Sequence, residues 1–351
     1  MRNQVIRARA PLRIGLGGGG TDVAPYSETF GGVVLNATID LYANVTIELR
    51  DDGLVEFRAP DRGAMWIGPA ALPLQFDADS DLKLVRGVYN RMCADFNEGK
   101  PIAATIITYA DAPAGSGLGT SSAVVIALVE AFRFLLQQPL GVYEVAHLAY
   151  EIERIDLQLS GGKQDQYAAA FGGVNFIEFG PGDAVLVNPL RIPLATLAEF
   201  ESSLVLFFTG VSRDSANIID QQSANVLKGQ KASIDAMHAL KADAFLMKNA
   251  LLRGQVSELA ALLDHSWAKK KETAANIANA RIDGIYRAAK ESGAIGGKVS
   301  GAGGGGFMMF LAEPRDKPRL MAMLREHEGQ IFSSRLTLDG AFAWKVPNGR
   351  G

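Results

Sequence analysis

The sequence is poor in the residues that soft-metal and hydrolytic chemistry require. It holds a single cysteine, Cys93, so no internal disulfide can form, and a reducing cytoplasm is the expected compartment. Its four histidines, His147, His238, His265 and His327, are scattered, and none stands at metal-ligand spacing from another. Zinc chemistry and a Ser-His-Asp hydrolase therefore lack support. There is no basic excess: 35 Lys and Arg face 38 Asp and Glu, a formal net charge of −3. That balance argues against a nucleic-acid partner. The one basic run, Lys269–Lys271, lies in an Ala-rich helical stretch before Glu272 and reads as a solvated helix face. No uncharged apolar run reaches spanning length, and the basic N-terminal stretch lacks a signal-peptide core, so no membrane association is expected.

Glycine, in contrast, is plentiful and clustered. A chain of 351 residues exceeds one ordinary core, and two domains are expected. Patterning loosens around Pro181–Pro193, which puts the division at 1–190 and 191–351. No repeat or low-complexity tract interrupts it. Val5–Leu16 reads as a strand running into GGGGTD, Gly17–Asp22. Gly32–Leu49 is rich in β-branched residues and reads as two strands or one bent one. Residues 60–81 read as irregular, and Leu82–Asn97 as a helix. The strand Ile102–Tyr109 precedes a glycine-rich loop and an almost wholly apolar helix, Ser121–Gln138, which must be buried on most of its surface. Val142–Gln158 and Gln166–Phe171 are helical, and Ser203–Thr209 is an apolar strand. Helical patterns fill 213–263, broken at Gly229 and Gly254, and then 274–292. Strands and helices mix in both halves, which implies α/β or α+β layers.

The glycine-rich loop, Pro113–Ala123, reads PAGSGLGTSSA. Gly115, Gly117 and Gly119 allow positive φ and close approach of a ligand to the backbone. Their amides can form an anion nest, and the positive end of the following helix points at the same place. Thr120, Ser121 and Ser122 add hydroxyls suited to phosphate oxygens or hydrated Mg²⁺. No lysine follows the last glycine, so this is not a Walker A loop. Gly15–Gly20 does fit G-x-G-x-x-G, but the chain then gives TDVAPYSETFGG in place of a helix, so a dinucleotide fold is disfavoured.

Two further segments carry chemistry. In EIERIDLQLSGGKQDQY, Glu153 ends a helix and Asp165 lies in a glycine-flanked turn beside Lys163. Asp165 is suited to orienting or deprotonating a hydroxyl nucleophile, and Glu153 to holding Mg²⁺ with a loop hydroxyl. Taken alone, these residues better suit a solvated helix face at Glu153 and Arg154 and a turn or helix N-cap at Asp165. The last glycine cluster, KVSGAGGGGF, Lys298–Phe307, suits either a close ligand or a tight turn.

Together, APLRIGLGGGGTD (Ala10–Asp22), PAGSGLGTSSA and KVSGAGGGGF resemble, in order, the three motifs of the galactokinase, homoserine kinase, mevalonate kinase and phosphomevalonate kinase family. The resemblance implies an N-terminal domain like the second domain of ribosomal protein S5 and a C-terminal ferredoxin-like α+β domain. It implies that Gly115, Ser116, Gly117, Leu118, Gly119, Thr120, Ser121 and Ser122 wrap the ATP phosphates. It gives Ser121, with Ser122 as rival, and Glu153 as Mg²⁺ ligands, and Asp165 as the catalytic aspartate. Lys163 and Arg13 would offset charge at the transferring phosphoryl group. Gly18, Gly19, Gly20, Thr21, Asp22, Arg13 and Asp165, with Gly303 and Gly304, would face the acceptor.

Galactokinases carry Glu-His before Thr-Asp, whereas this chain has Gly19-Gly20, which argues against galactose. GGGGTD, GGKQDQYAAAFGG and TGVSRDSA are similar to bacterial heptose 7-phosphate kinases, whose relatives include fucose kinases. The implied reaction is ATP-dependent phosphorylation of the anomeric hydroxyl of D-glycero-D-manno-heptose 7-phosphate. Such an acceptor needs a cationic pocket, with Arg9, Arg13, Lys163, Arg213 and Lys298 as candidates and Arg213 preferred for the 7-phosphate. Alternatives are an unphosphorylated sugar such as fucose, and a non-catalytic nucleotide-binding regulator. A homodimer is compatible with either.

Overall fold

The structure is a computed structural model that describes residues 5–75, 81–211 and 215–347. The chain opens with β1 (Val5–Gly17), α1 (Tyr26–Phe30), β2 (Gly32–Leu49), β3 (Leu54–Ala59) and β4 (Ala64–Pro69). Then come α2 (Lys83–Phe96), β5 (Ala104–Ala110), α3 (Thr120–Leu135), α4 (Val142–Glu151), α5 (Gln164–Phe171), β6 (Val174–Phe179) and β7 (Val185–Pro189). A second series follows: α6 (Leu194–Ser203), β8 (Leu204–Phe208), α7 (Ser215–Leu227), α8 (Lys231–Leu252), α9 (Val256–Thr273) and α10 (Ala280–Glu291). It ends with β9 (Ala294–Val299), β10 (Phe307–Ala312), α11 (Lys317–Leu324), β11 (Gln330–Phe332) and β12 (Phe342–Lys345).

Gly32–Leu49 is one long strand, not two, and it organises the first sheet. β1 pairs along one side of β2; β6 and then β5 share the other side. The order is β12-β1-β2-β5-β3-β4, with β6 and β7 attached through β2. The apolar α3 is buried because it packs between β1 and β2 on one side and α2, α4 and α5 on the other. β4 falls in the stretch expected to be irregular. Its side chains alternate between half-buried and exposed, as on a sheet edge, which its Gly and Pro content obscures.

The second sheet has the order β11-β8-β10-β9, the 4-1-3-2 arrangement of four strands in a βαββαβ, ferredoxin-like layer. Its strands alternate cleanly. Leu204, Leu206, Phe307, Met309 and Leu311 join the main core, which runs on through α8 and α9 to the first sheet. Val205, Phe207, Met308 and Phe310 face a second core under α10 and α11. The helical pattern expected over 274–292 begins only at α10. There Asn279 Oδ1 caps the helix by accepting from the Ile282 amide at 2.9 Å.

The first sheet takes its strands up to β7 and the second begins at β8, with one exception. β12 returns to pair antiparallel with β1, from Ile6↔Lys345 to Arg9↔Phe342. The last strand therefore belongs to the first sheet, a long-range pairing that no local signal announces.

Candidate active site

The phosphate loop is built as its glycines require. Gly115, Gly117 and Gly119 have φ of 69°, 83° and 73°. The loop is clasped from the other layer: Ser300 Oγ donates to Gly117 O at 2.9 Å, and the Phe307 amide to Ser116 O at 2.8 Å. A Cβ on Gly117 or Gly306 would overlap Ser300 O or Ser116 O respectively. The loop and the KVSGAGGGGF segment thus meet backbone to backbone.

A cavity of about 280 Å³ opens beside this clasp. The phosphate loop contributes Gly115, Gly117, Gly119, Thr120, Ser121 and Ser122 to its wall. Ser116 and Leu118 are fully buried behind it, and the Ser116 hydroxyl lies 3.2 Å from that of Thr120. Those two side chains support the loop and do not line it.

Arg13, buried on β1, joins two parts of the site. It forms a 2.6 Å ion pair with Asp165 and donates through Nη1 to Gly117 O at 2.5 Å. Asp165 occupies the first turn of α5, where the helix dipole favours a carboxylate. Asp22 lies nearby and accepts from the Gln164 amide at 3.1 Å, Gln164 Nε2 at 2.8 Å and the Gly20 amide at 3.1 Å. Burial pushes the Asp22 carboxyl upward, the Gln164 amide opposes that, and the Asp165 charge adds to it. Gly162 lies so close to Asp22 that any Cβ there would overlap the carboxylate.

Glu153 sits in a π-helical turn, Ile152–Asp156, that continues α4. π-turns of this kind mark functional positions. Its carboxylate is buried and accepts from Gln166 Nε2 and the Ser122 hydroxyl, with Arg154 3.8 Å away. Burial raises its pKa above the usual carboxylate range, against the pull of Arg154. Among the described residues no group of three or more His, Cys, Asp or Glu could hold a metal. A divalent ion here would take most of its ligands from phosphate and water, as Mg²⁺ does in phosphoryl-transfer sites. One desolvated carboxylate beside a loop hydroxyl fits that demand.

Several expected positions are corrected. Lys163 turns away from the cavity: its Nζ donates to Gly182 O at 2.5 Å, lies 3.7 Å from Glu28 and sits over the Tyr150 ring. Arg9 packs against the rings of Tyr42 and Phe342. Thr21 is a structural clamp, with its hydroxyl bonded to Gly18 O and Val33 O at 2.7 and 2.8 Å. Gly18 packs against the Val33 backbone, so Gly19, Gly20 and Asp22 are the members of GGGGTD that reach the cavity. Gly303 and Gly304 pack against Ile277, and Gly301 and Ala302 take their place on the wall. Arg213 lies outside the described residues.

The cavity also holds residues that the sequence reading passed over: Gln164, Gln222, Arg154 and, above all, Lys270. Lys270 is buried, against the expectation of a solvated face, and its Nζ donates to Gly19 O at 2.9 Å. The signal existed. Leu259, Leu263, Trp267 and Lys270 recur at helical spacing on the buried face of α9.

This geometry agrees with what related proteins are. The GHMP kinases N-terminal domain matches residues 83–173 and the GHMP kinases C-terminal domain residues 247–328. The D-glycero-alpha-D-manno-heptose 7-phosphate kinase of Campylobacter jejuni is 43% identical, over 98% of this chain and 100% of its own. This chain is a GHMP kinase. A crystal structure of a D-glycero-D-manno-heptose 1-phosphate kinase from Bacteroides thetaiotaomicron superposes with a TM-score of 0.83 at 44% identity, covering 98% of this chain and all of that one. The L-fucokinase/L-fucose-1-P guanylyltransferase of Bacteroides fragilis is 28% identical over 93% of this chain but only 36% of its own length. As a GHMP kinase the chain is an ATP-dependent phosphotransferase on the two-domain fold that its sequence motifs imply. Among the described residues no helix is long and apolar enough to cross a membrane.

Proposed function

We propose that this kinase transfers the γ-phosphoryl group of ATP to the anomeric C1 hydroxyl of D-glycero-D-manno-heptose 7-phosphate, giving the 1,7-bisphosphate and ADP. The observation that carries the reading is the Arg13–Asp165 pair, held between the phosphate loop and Asp22. An acceptor read by Asp22 would present its hydroxyl to Asp165, while Gly115–Gly119 and the start of α3 cradle the phosphates. The new bond joins the C1 oxygen to the γ-phosphorus, the bond to the β-phosphate oxygen breaks, and the hydroxyl proton passes to Asp165 or water. Catalysis here is positioning and charge compensation. Arg13 supplies the cation, in place of Lys163, and orients Asp165.

Glu153 and Ser122 would hold Mg²⁺, with Ser121 on the cavity wall beside them. When bound, the ion would offset the charge on the phosphates. The full-length likeness to a heptose 7-phosphate kinase supports the acceptor, as does Gly19-Gly20 in place of the bulkier pair expected for galactose. The fucokinase relative favours a second reading, an unphosphorylated anomeric sugar.

A panel of sugars with and without a terminal phosphate tests the choice. We expect D-glycero-D-manno-heptose 7-phosphate to have the highest kcat/KM. A higher value for fucose or for unphosphorylated heptose would overturn the reading.

A further inference from the structure

Among the described residues, two buried cations of the cavity form no ion pair. Lys270 and Lys298 are 6% and 7% exposed. Both line the same cavity as Asp22 and Gln164. Lys270 Nζ donates to Gly19 O at 2.9 Å, and Lys298 Nζ to Leu16 O at 3.4 Å. The first acceptor is a carbonyl of the turn after the Arg13 strand, and the second lies at the end of that strand. Among the described residues, neither ammonium has a carboxylate within ion-pair distance. Nearby carboxylates are committed elsewhere: Asp22 to Gln164 and the Gly20 amide, Asp243 to His265 at 3.0 Å, and Asp165 to Arg13.

Burying an ammonium without a counterion is costly, and burying two together costs more. Each lysine has three donors, and one donor on each is used. The arrangement is therefore incomplete until an anion arrives, and two ammonium groups match a dianion. The phosphate loop does not supply that need, because it carries its own amide nest and helix end on Gly115–Ser122. Lys270 stands instead beside Gly20, on the wall that bears Asp22.

We propose that Lys270 and Lys298 together form the receptor for the phosphate that the acceptor already carries, and so set the preference for a phosphorylated sugar. This rests on the reading of the acceptor as a sugar phosphate. It differs from the preference for Arg213 that the sequence suggested, a residue outside the described ones. Burial pulls Lys270 down to about 8, against the charge of Asp22. Burial, then the neighbouring charges of Lys270 and Arg13, pull Lys298 down to about 7, against Asp243. A bound phosphate dianion reverses both shifts, so binding takes up protons near neutrality.

The experiment compares kcat/KM for heptose 7-phosphate with that for unphosphorylated heptose in the intact enzyme, in Lys270→Met, in Lys298→Met and in Lys270→Arg. The expected result is a tenfold or larger fall of that ratio in each Met variant, with the ratio largely retained in Lys270→Arg. A ratio unchanged in both Met variants, with both substrates losing equally, overturns the receptor. Inorganic phosphate added to the unaltered enzyme supplies a readout that needs no variant. It is expected to compete with heptose 7-phosphate, and competition with ATP alone counts against the proposal. If the unaltered enzyme prefers the unphosphorylated sugar, the reading of the acceptor fails. If it prefers the phosphorylated one and the Met variants keep that preference, only the receptor fails.

Discussion

Arg13 and Asp165, 152 residues apart in the chain, meet through two nitrogens on one oxygen: Nε at 2.7 Å and Nη2 at 2.6 Å from Asp165 Oδ1. Both contacts fall on Oδ1, which leaves Oδ2 available to an acceptor hydroxyl. The same guanidinium reaches Gly117 O, so one buried side chain aligns the group that handles the nucleophile with the loop that handles the phosphates.

Asp165→Asn should therefore lower kcat by roughly a hundredfold or more, the usual scale for losing a positioned acid-base group. Arg13→Met should fall in the same range. The double variant should be little worse than the poorer single one, because the two act as a unit. Steady-state kinetics on the three variants check this, and fully additive losses would refute the pairing.

Ser122 and Glu153 should share a metal role. Ser122→Ala and Glu153→Gln should both shift the Mg²⁺ concentration for half-maximal rate upward. Ser121→Ala should shift it less, because the Ser122 hydroxyl is the one bonded to the buried carboxylate. A Mg²⁺ titration of the rate decides between the two serines.

Gly162→Ala should act on the acceptor and not on ATP. Its methyl group would drive into the Asp22 carboxylate. The KM for the sugar should rise several-fold while that for ATP changes little. In contrast, Gly117→Ala must adopt a φ of 83° and meet Ser300 O, so it should cost about 1–3 kcal/mol of stability. Thermal melts and separate KM values distinguish the two substitutions.

The lysine pair also predicts a pH dependence of stability. Unfolded lysines titrate near the ordinary 10.5, while folded Lys298 and Lys270 titrate at about 7 and about 8. Between those values the unfolded chain binds more protons, so raising the pH favours the folded state. The melting temperature of the unliganded protein should rise from pH 7 towards pH 9, and Lys298→Met should flatten that rise. A slope unchanged by the substitution would show that Lys298 does not titrate in this window.

Much of this site was legible because its parts are local. PAGSGLGTSSA encodes positive φ, amides and a helix start within one segment, and the structure places all of them together. The buried α3 followed from its almost wholly apolar run. What stayed hidden is non-local or ambiguous by composition. Glycines that approach a ligand and glycines that pack against Ile277 look alike, so Gly303 and Gly304 could not be told from Gly301. Lys163 adjoins Asp165 in sequence, yet a helix N-terminus sends the two side chains apart. Lys270 was masked by its neighbours Lys269 and Lys271, although its helical period with Trp267 and Leu263 placed it on the buried face.

The pairing of β12 with β1 bears on how the molecule is made. A ribosome releases β1 early, and the outer edge of its first half, Ile6–Arg9, waits for residues 342–345 to emerge. Until then the strand that carries Arg13 presents an open hydrogen-bonding edge, the feature that invites mispairing with other chains. A chain interrupted before β12 would thus hold every motif of the kinase while leaving the edge of Ile6–Arg9, just ahead of its central arginine, unsealed.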